Sequence, residues 1–182
     1  MITRRVENTL ELADAMLDFA GAYRNSSETK RSEGMNQPLE SSMPIAPEKY
    51  YYHTPMTIRY GDMDTLGHVN NAKYLTYIEQ ARISFFRDLQ LWQGGIAEIG
   101  MIVAKISIDY KLPLTMDDGE VDIWTRCSRL GTKSFDLEQV VLRRDGATAA
   151  SAVTVMVVYD YQANTSVALP DSWKPRLLAS RP

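Results

Sequence analysis

The chain has 182 residues, 45% hydrophobic and 24% charged, enough for one domain with a proper core and too few for two comfortable ones. Its formal net charge of −3 argues against a general nucleic-acid binder, which needs a basic surface, while leaving room for a local basic patch. The single cysteine, Cys127, excludes an internal disulfide framework, and with only two histidines, His53 and His68, a Cys- or His-rich metal site is not expected.

No apolar run approaches the length of a membrane span. Glu7, Glu11, Asp14 and Asp18 interrupt what would have to be the apolar core of a signal, so no targeting segment and no membrane partner are expected. A reducing cytoplasm is the simplest location. Residues 1–49 differ from the rest. Val6, Leu10, Ala13, Leu17 and Ala20 recur at helical spacing and predict an amphipathic helix over 4–22. From Asn25 to Pro47 the composition is that of a linker, and Met35 or Met43 would each serve as a start. The expected organisation is an extension over 1–49 and one domain over 50–182, with the extension dispensable.

Within that domain, Met56, Ile58 and Tyr60 alternate with Thr57 and Arg59 as in a half-buried strand. A polar cluster follows, and then Tyr74, Tyr77, Ile78, Ala81, Phe85 and Phe86 mark a long helix over Asn71–Leu89, broken at Gln93-Gly94-Gly95. Four strand-like runs come next, at 101–111, 120–129, 133–143 and 147–161. The last is apolar on both faces, as suits a central strand, and Asp145-Gly146 marks a hairpin turn before it. The expected class is α+β. One strand, one long helix and a four-strand antiparallel meander build a curved sheet around the helix, and a short piece near Pro170–Leu178 lies outside it.

The polar cluster, Tyr60-Gly61-Asp62-Met63-Asp64-Thr65-Leu66-Gly67-His68-Val69-Asn70-Asn71, admits two readings. Asn70 or Asn71 suits a helix N-cap, Gly67 a positive φ, and the aspartates a turn. Equally, a helix N-terminus carries unsatisfied N–H groups that can stabilise a developing oxyanion. A carboxylate in the preceding loop can then act on the same carbonyl as base or nucleophile.

This segment, with Tyr74, Tyr77, Glu79, Ala81 and Arg82 on the helix behind it, resembles the hotdog-fold acyl-CoA thioesterases of the 4-hydroxybenzoyl-CoA thioesterase type. Tyr110-Lys111-Leu112-Pro113, Gly119-Glu120 and Gly131-Thr132-Lys133-Ser134 extend the resemblance over about 53–175. It implies a hotdog fold, acyl-CoA hydrolysis to free acid and CoA without a cofactor, and a homodimer or homotetramer with sites between subunits. It also implies that Asp64 is the catalytic carboxylate and that the Asn71 N–H binds the thioester oxygen, while Asp62 holds the loop.

His68, Asn70 and Tyr74 are candidates for substrate contact, each with a structural alternative: packing for His68, capping for Asn70, core for Tyr74. Glu79 reads as an ion-pair partner of Arg82, and otherwise as a helix-borne catalytic carboxylate. For CoA, Arg129 and Lys133 are the first candidates in a basic strip with Arg126, Arg143 and Arg144. A hotdog hydratase or dehydratase, and a non-catalytic acyl-CoA-binding module, are the alternatives. The first would need an Asp–His or His–Glu pair at a spacing that Asp64 and His68 lack, and the second would not need Asp64.

Overall fold

The computed structural model describes residues 46–179 apart from 93 and 95–97. The expected helix at 4–22 and nearly all of the expected linker lie outside the described residues. Strand β1 is Tyr52–Thr57, helix α1 Asn71–Asp88, β2 Ile99–Tyr110, β3 Glu120–Leu130, β4 Ser134–Arg143, β5 Thr148–Asp160, β6 Thr165–Ser166, and a short helix α2 Lys174–Ala179. Every pairing is antiparallel, in the order β1-β3-β4-β5-β2, with β6 on the end of β5. The architecture is the hotdog: one antiparallel sheet folded round one long helix.

The four-strand meander needs correction. Only β3, β4 and β5 are joined as neighbouring hairpins; β2 crosses to the far side of β5, and β1 occupies the place beside β3. The reason is coverage. With α1 lying against the middle of the sheet, a β2 paired to β3 would leave β5 as an edge, although its inward residues Ala150, Ala152, Thr154, Met156 and Val158 are all buried. A bulge between Val103 and Lys105 also breaks the simple alternation expected along β2.

Helix α1 buries Tyr74, Tyr77, Ile78, Ala81, Phe85 and Phe86, at the three- and four-residue steps of one face. Its first half packs on Val121, Ile123, Val141 and the small residues Ala149, Ala150 and Ala152. Its second half packs on Cys127, Phe135, Leu137, Met156 and Val158. At the middle of the sheet stands Gln139, whose Nε2 donates to the Ile78 carbonyl at 2.9 Å and to Thr125 Oγ1 at 3.3 Å. That buried amide pins the helix to the sheet where a purely apolar contact would let it slide.

The C-terminal piece does not simply lie outside the sheet. Leu177 is completely buried and joins the second core cluster with Leu169. Arg176 Nη1 donates to the Gln90 carbonyl at 2.8 Å, tying α2 to the end of α1. Among the described residues, no helix is long and apolar enough to cross a membrane.

Phe85 is fully buried and stacks edge-on against Tyr52, centroids 5.2 Å apart. Phe85→Ala should cost about 3–5 kcal/mol, read as a lowered urea midpoint with an unchanged slope.

Candidate active site

The loop between β1 and α1 is closed by a short antiparallel bridge, Met63 to Val69. Around it, Asp64 N–H donates to the His68 carbonyl at 2.7 Å, Asn70 N–H to the Asp62 carbonyl at 2.8 Å, and Val69 N–H to the Leu114 carbonyl at 2.8 Å. Gly67 turns at φ 81°, a conformation that side chains other than glycine seldom adopt. The loop thus returns the chain to the start of α1 within a few residues of Asp64.

Asp62 is the buried member. Its Oδ2 accepts from the Tyr77 hydroxyl at 2.7 Å and from the Arg59 N–H at 3.0 Å, and Lys73 Nζ stands 3.5 Å from Oδ1. Asp64 is half-buried. Its Oδ1 accepts from the N–H groups of Leu66 at 2.8 Å and His68 at 3.1 Å. Among the described residues, Oδ2 accepts no hydrogen bond. One oxygen holds the carboxylate in place while the other is available.

At the helix start, Asn70 Oδ1 accepts from the Ala72 N–H at 2.9 Å, and the Lys73 N–H reaches the Asn70 carbonyl at 2.8 Å. The Asn71 N–H is thereby left as the first-turn donor without a partner among the described residues, at the positive end of an 18-residue helix. Tyr110 lies across this end, its hydroxyl donating to the Asn71 carbonyl at 3.0 Å.

Asp64, His68, Asn70 and Asn71 are therefore brought together, with different duties. His68 is exposed, not packed; its backbone clamps the loop and its side chain is at the surface beside Asp64. Asn70 spends its side-chain oxygen as the helix cap. Tyr74 is buried at 2% exposure and sits edge-on to Tyr110, centroids 5.2 Å apart; burial pushes its phenol up to about 12. That places it in the core rather than on a pocket wall. Glu79 is exposed, its Oε1 3.7 Å from Arg82 Nη2.

Arg129 and Lys133 are not brought to Asp64. Thr57 pairs with Glu120 at the loop end of β3, and Arg129 stands nine residues further on, about 30 Å away at the rise of an extended strand. Nor is the basic strip free. Arg129 makes two 2.7 Å bonds to Asp136, Arg126 Nε bonds Glu138 at 2.9 Å, Arg143 pairs with Asp118 at 2.9 Å, and Lys133 Nζ donates to the Ser166 carbonyl at 2.8 Å. Cross-strand pairing absorbs charges that look solvated in a linear reading. Two contributors escaped the sequence reading. Tyr77 was legible as a helix-face residue but not as the partner of Asp62, and Tyr110 as a strand residue but not as a neighbour of Asn71.

Burial pushes the Asp62 carboxyl up, but the Tyr77 hydroxyl, the Arg59 N–H and Lys73 together pull it below its ordinary 3.8. A depressed folded pKa gives stability that is present above the unfolded pKa and lost as pH falls through the folded one. Asp62→Asn should therefore lower Tm at pH 7, with a loss on the order of 1.5–3 kcal/mol for bonds to a charged acceptor. The gap from wild type should narrow as pH falls below about 3.8, the ordinary value, and close once Asp62 is protonated in the folded state. Thermal melts at pH 7 and pH 3 check it; an equal gap at both would count against the assignment.

Comparison with known proteins gives the family and the fold. The Thioesterase-like superfamily matches residues 58–177. Long-chain acyl-CoA thioesterase FadM of Escherichia coli K12 is 30% identical over 126 residues, covering 68% of this chain and 95% of FadM. Protein YsmA of Bacillus subtilis 168 is 27% identical over 149 residues, 81% of this chain and all of YsmA (100%). Among solved structures, a thioesterase from Thermus thermophilus complexed with coenzyme A and Zn has 32% identity and a TM-score of 0.65, over 75% of this chain and 100% of that one. Because the family model spans residues 58–177, well over half of its length, the chain belongs to the thioesterase-like superfamily.

Proposed function

We propose that the protein hydrolyses acyl-CoA thioesters to free acid and CoA, with Asp64 as the catalytic carboxylate and the Asn71 N–H as oxyanion donor. The observation that carries this reading is the split role of the Asp64 carboxyl, Oδ1 held by two backbone N–H groups and Oδ2 unpartnered among the described residues. A carboxylate held so spends little entropy in aligning on a bound carbonyl. The thioester oxygen takes the Asn71 N–H, where the helix terminus favours the charge that develops on it. Oδ2 then removes a proton from the water that attacks the carbonyl, or itself attacks to give an anhydride that water opens; in either route the tetrahedral intermediate collapses with cleavage of the C–S bond, and CoA leaves as the thiolate. The names of FadM and of the Thermus thermophilus complex support acyl-CoA as the substrate class.

A second copy of the chain belongs to this reading. β2 is an edge strand of 12 residues with Val103, Ala104 and Lys105 exposed. Its Tyr110 end adjoins the Asn71 carbonyl, and its Ile99 end pairs with Asp160, beside the hairpin that carries Lys133. Two β2 strands paired about a two-fold axis run antiparallel, which sets the Lys133 end of one copy at the Asp64 end of the other. That arrangement brings toward Asp64 the Lys133 region that one copy alone keeps about 30 Å away. Residues 1–49 are proposed as an extension outside the catalytic domain.

Asparagine matches aspartate in shape but neither accepts a proton at neutral pH nor attacks a thioester. Asp64→Asn should keep the fold and lower kcat by at least about 10²-fold, the low end of general-base effects, in a thiol-release assay. Should Glu79→Gln abolish turnover while Asp64→Asn leaves it near wild type, the carboxylate comes from the helix instead. Light scattering at micromolar concentration should give at least a dimer, and a monomer mass would remove the shared site.

A further inference from the structure

The direction of the Asn71 N–H is set by the two rigid peptide planes that meet at the Asn71 Cα. In the plane before it, the Asn70 carbonyl accepts from the Lys73 N–H at 2.8 Å. In the plane after it, the Ala72 N–H donates to Asn70 Oδ1 at 2.9 Å, and the Asn71 carbonyl accepts from the Tyr110 hydroxyl at 3.0 Å. Three of the four polar groups around Asn71 are thus held, and the fourth is the donor itself. Two of the three bonds are local to the helix cap. The third comes from Tyr110, 39 residues further along the chain.

A first helical turn benefits from such a bond. Helix ends fray, because their outer residues lack the full ladder that holds the interior. A cap made by Asn70 fixes the turn relative to its own chain and travels with it when it swings. Bonds to separate elements stop that swing. The Asn70 N–H reaches the Asp62 carbonyl in the loop, and the Tyr110 hydroxyl joins the turn to β2. The turn is therefore held from the loop and from the sheet.

Tyr110 is itself well fixed. It ends β2, paired with Ala150 of β5, and the Lys111 N–H that follows donates to the Ala149 carbonyl at 2.8 Å. Its ring meets the buried Tyr74 ring at 88°, and Tyr74 lies three residues after Asn71 on α1. One side chain thus grips the helix start twice, ring against ring and hydroxyl on backbone. Burial raises the Tyr110 phenol above its ordinary 10.0, which keeps the hydroxyl a donor at neutral pH. Each of these contacts is made within one copy of the chain.

Resting on the thioesterase reading above, we propose that Tyr110 is a positioning residue for the hydrolysis: through the Asn71 carbonyl it aims the Asn71 N–H at the thioester oxygen. The hydroxyl touches no reacting atom. Its bond counts most where the oxygen moves, as the carbonyl carbon goes from planar to tetrahedral, because a hydrogen bond weakens steeply once its angle opens. A donor free to swing serves the ground-state carbonyl nearly as well as a fixed one, but must reorganise on the way to the oxyanion. The loss therefore falls on kcat rather than on KM. Tyr52 supplies the contrast. Its hydroxyl donates to Asp88 Oδ2 at 2.6 Å, tying a strand to the last residue of α1 in the same manner without reaching Asn71.

The test compares wild type, Tyr110→Phe and Tyr52→Phe by thiol release, below the melting temperature of each. The substrate is whichever of acetyl-, hexanoyl-, dodecanoyl- and benzoyl-CoA wild type cleaves best. Tyr110→Phe keeps the ring on Tyr74 and removes the donor. It should lower kcat about tenfold, less than the roughly 10²–10³-fold loss of an oxyanion donor removed outright. KM should stay within about twofold, the pattern of an interaction made in the transition state. Tyr52→Phe should leave both near wild type. The ketone analogue with a methylene in place of the thioester sulfur reads the donor directly: its bound carbonyl stretch should move up in Tyr110→Phe and stay put in Tyr52→Phe. If Tyr110→Phe does not fold, difluorotyrosine in place of Tyr110 serves instead. Its more acidic phenol should lose kcat relative to wild type as pH rises through its titration, and a flat ratio would overturn the role. An unchanged kcat in Tyr110→Phe, an equal fall in Tyr52→Phe, or an unmoved carbonyl band overturns it too, with the hydrolase reading intact. If wild type releases thiol from none of the four, the hydrolase reading fails and the role of Tyr110 falls with it.

Discussion

The site depends on a buried carboxylate that takes no part in the proposed chemistry. Asp62 accepts from Tyr77 on the helix and from the Arg59 N–H at the end of β1, and its backbone carbonyl accepts from Asn70. Three separate pieces of chain therefore meet at one residue. Tyr77 is buried and lies on the core face of α1, so the packing of the helix on Val121 and Ile123 fixes where Asp62 sits. Because Asp62 is fixed, so are the bridge from Met63 to Val69, the orientation of Asp64 and the exit of the chain into α1 at Asn71. Precision at the surface is supplied by apolar packing in the interior, passed on through one ionised hydrogen bond.

Helix α1 meets the sheet in different ways at its two ends. At its start the helix packs with the small sheet residues Ala149, Ala150 and Ala152. At its other end the bulky Phe85 and Phe86 pack with Phe135 and Met156 of the sheet. Gln139 stands at the pivot, fastened to the helix backbone at Ile78.

Much of this was legible in the sequence because it rests on local period. The alternation along 120–129 gave β3 with Val121, Ile123 and Cys127 inward, and the spacing from Tyr74 to Phe86 gave the buried face of α1. What was not legible is non-local. Nothing in the letters of β2 says that it pairs with β5 rather than β3, because both neighbours offer a row of apolar residues. The ion pairs of the basic strip were hidden for the same reason: Arg126 and Glu138 are twelve residues apart in the chain and directly opposite in the sheet. Arg82 and Glu79 read as a surface ion pair at three-residue spacing. Only the fold of β2 and Trp92 over the arginine reveals that one partner is buried and the other is not.

The crossing of β2 over the meander carries a consequence for synthesis. As the chain emerges from the ribosome, β2 is made before β3 and β4 but finds its sheet partner, β5, last among the long strands. β1 likewise waits for β3, across the whole of α1 and β2. The apolar face of the helix and strand β2 thus lack part of their native cover until Thr148–Asp160 has been translated, and Leu177 completes the second core still later. Such high contact order slows folding and lengthens the time in which a nascent chain exposes adhesive surface. The charges on β2 and just past its end, Lys105, Asp109 and Lys111, are of the kind that keeps an orphan strand soluble until its neighbour exists.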